Sequence, residues 1–136
     1  MTEKILVALD VESREEALRL ADLLRGSVGG FKIGSRLFTS EGPAMVRTLT
    51  ERGDRVFLDL KFHDIPNTVA TAVAAASALG VWMVNVHASG GVAMMQAARN
   101  AAHEAAAKHK VPAPLVIAVT VLTSMNQAAL RDTGVV

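Results

Sequence analysis

The sequence contains no cysteine and no tyrosine, with one tryptophan and four phenylalanines among its 136 residues. Without thiols there is no disulfide framework and no thiolate metal site. So few aromatics exclude the stacking platforms on which single-stranded nucleic acids are held. Neither sign of charge dominates: 14 Lys and Arg stand against 13 Asp and Glu, a formal net charge of +1. That balance gives no electrostatic drive toward nucleic acid or an anionic membrane. No apolar run approaches the length of a membrane span. The opening "MTEKILVALD" is too short in its apolar stretch and too acidic for a signal peptide. The expectation is a cytoplasmic protein that forms one domain across residues 1–136, a length suited to a single core.

What is present is an alternation of short β-rich runs with longer helical stretches. "ILVAL" (Ile5–Leu9) is a continuous apolar run, predicted as a strand buried on both faces and ended by Asp10. In "SREEALRLADLLRG", Ser13 and Glu16 have the spacing of a capping box, and Gly26 supplies the stop. "GFKIG" (Gly30–Gly34) predicts a second strand, and "GPAMVRTLTERG" a helix with Pro43 in its first turn and Gly53 as its end. "VFLDLKF" then predicts a third strand and Thr68–Gly80 an Ala-rich helix. "VWMVNVH", "GVAMMQAARNAAHEAAAKHK" and "PLVIAVTVL" (Pro114–Leu122) predict a fourth strand, a fourth helix and a fifth strand, before a short helix or turn in "MNQAALRDTG".

Strands and helices in this order form a parallel sheet with right-handed crossovers. Two architectures satisfy it: an open doubly wound sheet or a (β/α)₈ barrel. The first strand is followed by "LDVESREE", where a dinucleotide-binding sheet needs Gly-x-Gly-x-x-Gly. Polar groups instead punctuate the strands, with Asp10, Lys32, Asp59, Lys61, His87 and Thr123 in or just beyond them. That pattern favours the α/β class of the TIM (β/α)₈ barrel, whose functional groups lie at the carboxyl ends of its strands. A complete barrel needs about 250 residues and seldom fewer than about 200. The expectation is therefore an incomplete barrel of about five β/α units, without strands six to eight.

Charge concentrates in "FLDLKFHDIPNT", Phe57 to Thr68. Residues two apart on a strand share a face, so Asp59 and Lys61 are predicted to point the same way. Asp64 follows at the turn into Pro66, and Lys32 lies on the neighbouring strand, which allows an alternating Asp–Lys network. Such a network holds an ammonium protonated and aimed as a proton donor, and positive charge there stabilises a developing carbanion. The other reading is an ion-pair cluster that seals the barrel end.

"LDLKFHDIPNTV", with "ILVALD", "FKIGSRLF", "VNVHASGG" and "VTVLTSM" in order and spacing, closely resembles the orotidine 5′-phosphate decarboxylase family. The resemblance runs along the whole chain, and Asp-x-Lys-x-x-Asp-Ile-Pro-Asn-Thr is a highly specific motif. It implies cofactor-independent, metal-free decarboxylation of orotidine 5′-phosphate (OMP) to UMP. Lys61 would protonate C6 of the pyrimidine, with Asp59 beside the substrate carboxylate and Lys32 bridging Asp59 and a ribose hydroxyl. Asp10 would bind the ribose, Thr123 the pyrimidine edge, and Ile65 would belong to the substrate-binding set. Asp64 and Thr68 would reach the active site of a second subunit, because the family works as a homodimer with shared sites. The family's phosphate grip comes from loops after its sixth to eighth strands, so residues 1–136 alone are expected to turn over little or no OMP.

Other features remain in the background. His63 reads as structural, and His87 as either a pocket-mouth or a core residue. His103 and His109 read as solvated, "SGGVAMM" as a tight strand-to-helix connection, and Met83, Met94 and Met95 as core. Two further readings stand beside the decarboxylase. A magnesium-dependent sugar-phosphate decarboxylase or hexulose-phosphate synthase would carry a metal-binding Glu where this sequence has Lys32. A non-catalytic dimerising remnant would leave an open barrel edge and apolar surface prone to aggregation.

Overall fold

The computed structural model of the chain describes residues 2–134. Five parallel strands, β1 (Leu6–Ala8), β2 (Gly30–Gly34), β3 (Val56–Phe62), β4 (Met83–His87) and β5 (Leu115–Val119), lie side by side in chain order. Helices α1 (Arg14–Leu24), α2 (Ser35–Glu51), α3 (Pro66–Ser77) and α4 (Val92–His109) connect them, and a short α5 (Gln127–Asp132) follows β5. This is the α/β architecture of five β/α units of a TIM-type barrel.

Local chemistry places the helix ends. Ser13 caps α1 by accepting the Glu16 amide at 3.2 Å, which satisfies one of the free N–H groups of the first turn. Pro66 opens α3, where its missing N–H and fixed φ carry no penalty. The expected helix from Pro43 is only the second half of α2. A preceding helical segment begins at Ser35, directly after β2, and Gly42 joins the two with φ 65° and ψ −166°. Leu37, 1 % exposed, gives that earlier segment its hold on the core. The connection after β4 is as tight as expected: a Cβ on Gly90 would lie 2.2 Å from Met94 Sδ, so a side chain there displaces the methionine.

Alternation along the strands separates two faces. Phe31, Ile33, Leu58, Val84 and Val86 join Leu37, Met45, Leu49, Val69, Val73 and Met94 in one buried cluster between sheet and helices. Met83 is buried and Met95 packs against this cluster while partly exposed. The intervening residues Lys32, Phe57, Asp59 and Asn85 occupy the other side of the sheet.

Two expectations about strands need correction. β1 is not buried on both faces: Leu6 and Val7 are half-buried, Ala8 is exposed, and Ile5, just before the strand, is 51 % exposed. β5 ends at Val119 rather than Leu122, with Leu115 and Ile117 exposed. The cause is position, because among the described residues these two strands are the edges of the sheet and each pairs with a strand on one side. An apolar run reports that a strand is inward-looking, not that neighbours flank it.

Candidate active site

A chain of ion pairs crosses the carboxyl ends of the first three strands. Lys32 Nζ on β2 lies 3.5 Å from Asp10 Oδ1, beyond β1, and 3.3 Å from Asp59 Oδ2 on β3. Asp59 Oδ1 in turn accepts Lys61 Nζ at 2.7 Å. The order is Asp10, Lys32, Asp59, Lys61, so the alternation of signs is present and Asp10 is part of it. Asp64 is not. Its Oδ1 accepts the backbone N–H of Ile65 at 2.7 Å, and Asp64, Ile65 and Thr68 are all exposed.

Strand parity does not account for the Asp59–Lys61 contact. Leu58 pairs with Val84 and Phe62 with Val86, so Asp59, Leu60 and Lys61 together face Asn85 alone. The extra residues make a β-bulge, a device that re-aims side chains beside functional sites. Lys61 takes φ 51°, a left-handed conformation disfavoured for a residue with a Cβ. It returns the ammonium onto the carboxylate two residues back.

Asn85 is the member that the sequence reading missed. It is 2 % exposed, donates from Nδ2 to Asp59 Oδ1 at 2.6 Å, and accepts the Lys61 backbone N–H on Oδ1 at 2.9 Å. The available signal was a lone amide in the apolar run "VWMVNVH", because a buried polar side chain requires partners.

These contacts decide the charge of Asp59. Burial pushes its carboxyl up, but hydrogen bonds from Lys61 and Asn85 and the charges of Lys61 and Lys32 oppose it, leaving it below the ordinary aspartate range. A carboxyl depressed in the folded state contributes stability above its unfolded pKa, and that contribution disappears as pH falls through the folded value. Asp59→Asn is therefore expected to flatten the acid limb of stability below about pH 4, as followed by urea midpoints from pH 6 downward. An unchanged slope would mean that Asp59 is not held ionised by its neighbours.

Asp59, Lys61 and Asn85 open onto a cavity of about 510 Å³, also lined by Phe57, Ile117 and Thr123. That volume falls within the range of small-molecule sites. Thr123 reaches it from the turn after β5 and is exposed. His87, at the end of β4, is half-buried with its ring centroid 5.4 Å from that of exposed His63. It lies outside the buried core and is not among the residues that line the cavity. His103 and His109 lie exposed on α4. Among the described residues no three His, Asp or Glu side chains gather as a metal site, and no helix is long and apolar enough to cross a membrane.

Parallel β/α units with their charged residues at the carboxyl ends of the strands define a protein of the β/α-barrel fold class. The chain belongs to the Orotidine 5′-phosphate decarboxylase / HUMPS family, whose sequence profile matches residues 3–135. It is 58 % identical over 131 residues to the orotidine 5′-phosphate decarboxylase of Sodalis glossinidius (strain morsitans), covering 96 % of this chain and 50 % of that protein. The enzyme of that name from Moorella thermoacetica is 57 % identical over 129 residues, covering 95 % and 51 %. The chain thus spans about half the length of the curated relatives it matches. Among solved structures, the orotidine 5′-phosphate decarboxylase of Lactobacillus acidophilus superposes with a TM-score of 0.84 at 34 % identity, covering 96 % of this chain and 58 % of that one. An uncharacterized conserved protein from Geobacillus kaustophilus gives 0.87 at 42 % identity, covering 96 % and 60 %.

Proposed function

We propose that this chain carries the chemical centre of an orotidine 5′-phosphate decarboxylase, acting without metal or organic cofactor. The observation that carries the reading is the divided carboxylate of Asp59, with Lys61 at 2.7 Å on one oxygen and Lys32 at 3.3 Å on the other, beside a nucleotide-sized cavity. The bond from C6 to the substrate carboxylate breaks, its electron pair stays on C6, and carbon dioxide leaves. The Lys61 ammonium stabilises that pair and then delivers its proton to C6, giving UMP; solvent reprotonates the lysine. Fixed charges aimed at a developing carbanion are an effective form of catalysis because they need no reorganisation.

Lys32 and Asp10 are assigned to the ribose hydroxyls and Thr123 to the pyrimidine edge. Asp64, Ile65 and Thr68 are assigned to the active site of a second copy. Their exposure at the end of the sheet that carries Lys61 supports this, as does the absence of any described contact from Asp64 to Lys61. The phosphate has no equivalent cluster in the described site, and remote binding energy of that kind supports turnover. Residues 1–136 alone are accordingly expected to form UMP no faster than a blank.

The test is to fuse this chain, at the end of its match, to the remaining half of the Sodalis glossinidius relative. The fusion should convert OMP to UMP and carbon dioxide, measured by loss of OMP absorbance. A soluble, folded fusion without turnover would refute the reading. Turnover by residues 1–136 alone would refute the need for a separate phosphate grip.

A further inference from the structure

β4 presents the polar side chain of Asn85 to the bulge in β3, and its amide bonds to two groups there, the Lys61 main-chain N–H and the Asp59 carboxylate. In a regular parallel ladder the Lys61 N–H would find a main-chain carbonyl. At the bulge Asp59, Leu60 and Lys61 all stand opposite Asn85, and this N–H turns to a side chain instead. The Asn85 side-chain carbonyl accepts this N–H at 2.9 Å, and its NH₂ donates to Asp59 Oδ1 at 2.6 Å. The amide orientation is forced. A backbone N–H only donates and a carboxylate only accepts, so turning the amide over would place like against like at both ends.

We infer that Asn85 is a positioning residue for the Asp59–Lys61 pair, holding Lys61 in its left-handed conformation and fixing which oxygen of Asp59 faces which lysine. Asp59 Oδ1 receives Lys61 Nζ and Asn85 Nδ2, leaving Oδ2 for Lys32. With both oxygens committed, the carboxylate cannot rotate without breaking a contact. A left-handed non-glycine residue persists only where its surroundings over-determine it, and the 2.9 Å bond to Asn85 is a described side-chain restraint on the Lys61 backbone. Asn85 acts through these two residues and takes no part in the chemistry.

The inference deepens the decarboxylase reading, but its test uses no turnover, so either can fail without the other. The charged groups that face Asp59 are Lys32 from β2 and Lys61 from its own strand, with Asp10 behind Lys32. Two readouts on residues 1–136 follow the two ends of the amide. Side-chain ¹³C NMR follows the titration of Asp59, and hydrogen exchange follows the Lys61 amide. In Asn85→Ala both should move. The Asp59 midpoint rises by about one pH unit, as expected for loss of a hydrogen bond to the charged form, and Lys61 exchanges about fivefold faster, the ratio that a bond of typical net strength sets.

Asn85→Asp keeps the shape and an acceptor for Lys61 but removes the donor to Asp59. The Lys61 amide should stay protected while the carboxyl pair titrates with one midpoint shifted further upward, as like charges in contact require. A merely structural asparagine would not separate the two readouts. An Asp59 midpoint unchanged in both variants, or loss of Lys61 protection in Asn85→Asp, overturns the inference. Unfolding of both variants would also overturn it, assigning Asn85 to holding the sheet instead.

Discussion

Lys61→Ala is expected to lower UMP formation by the fusion enzyme by about 10³- to 10⁴-fold, which combines loss of a general acid with loss of a fixed charge at the reacting carbon. The effect should fall on kcat, because the ammonium is needed most when charge develops on C6. Removing it also leaves Asp59 with Asn85 and Lys32 as its remaining partners. Lys61→Gly provides the control for folding. Both variants lose the ammonium, but glycine adopts φ 51° freely, so it should be more stable than the alanine variant by about 1 kcal/mol. Single-turnover rates and urea midpoints measure the two effects separately. If both variants keep activity within about tenfold of the parent, a span smaller than general acid catalysis supplies, Lys61 is not the proton donor.

Phe31→Ala should have the largest effect on stability. Phe31 is 2 % exposed on β2, on the face opposite Lys32, where it belongs to the cluster between sheet and helices. Truncating a buried phenylalanine costs about 3–5 kcal/mol through lost transfer energy and the cavity left behind. That is a large part of the about 5–15 kcal/mol that holds a typical domain. Urea denaturation of the variant should show a midpoint well below the parent's, with Leu23→Ala as a reference. Leu23 is 72 % exposed and its loss should stay within about 0.5 kcal/mol. A Phe31→Ala cost below about 1 kcal/mol, far under the usual range, would mean that this layer is loosely packed.

The readable parts of the sequence were those whose cause is local. Ser13 and the glycines after the helices act on their own backbone neighbourhood, so capping and stop rules located α1 and the end of α3 to within a few residues. The alternation of elements was enough for the α/β class with a parallel sheet, and the polar groups at the strand ends turned it toward the barrel. Burial was less legible, because the same apolar letters occur in central and edge strands. "ILVAL" carries no mark that only one neighbour will pair with it. The active-site array shows both sides of this limit. Asp10, Lys32, Asp59 and Lys61 were found from their places at strand ends, and the structure brings them together.

The bulge was invisible, because "LDLKF" alternates as a regular strand does and the irregularity is visible only against β4. Asn85 was missed for the same reason, since its partners lie 24 and 26 residues away in sequence. The assignments of Asp64, Ile65 and Thr68 concern a second chain, and no single-chain pattern can display that contact.

The strand order has a consequence for biosynthesis. Each strand from β2 onward pairs with its predecessor in the chain, β1-β2-β3-β4-β5, so among the described residues no strand waits for a distant segment before it can pair. The Asp10–Lys32–Asp59–Lys61 array and its brace Asn85 are contained in the first 85 residues. Chains emerge from the ribosome amino end first. The charges can therefore find their partners as soon as β4 docks, while α4 and β5 are still being made. Nascent chains arrested shortly after β4 leaves the exit tunnel should already protect the Lys61 amide from exchange.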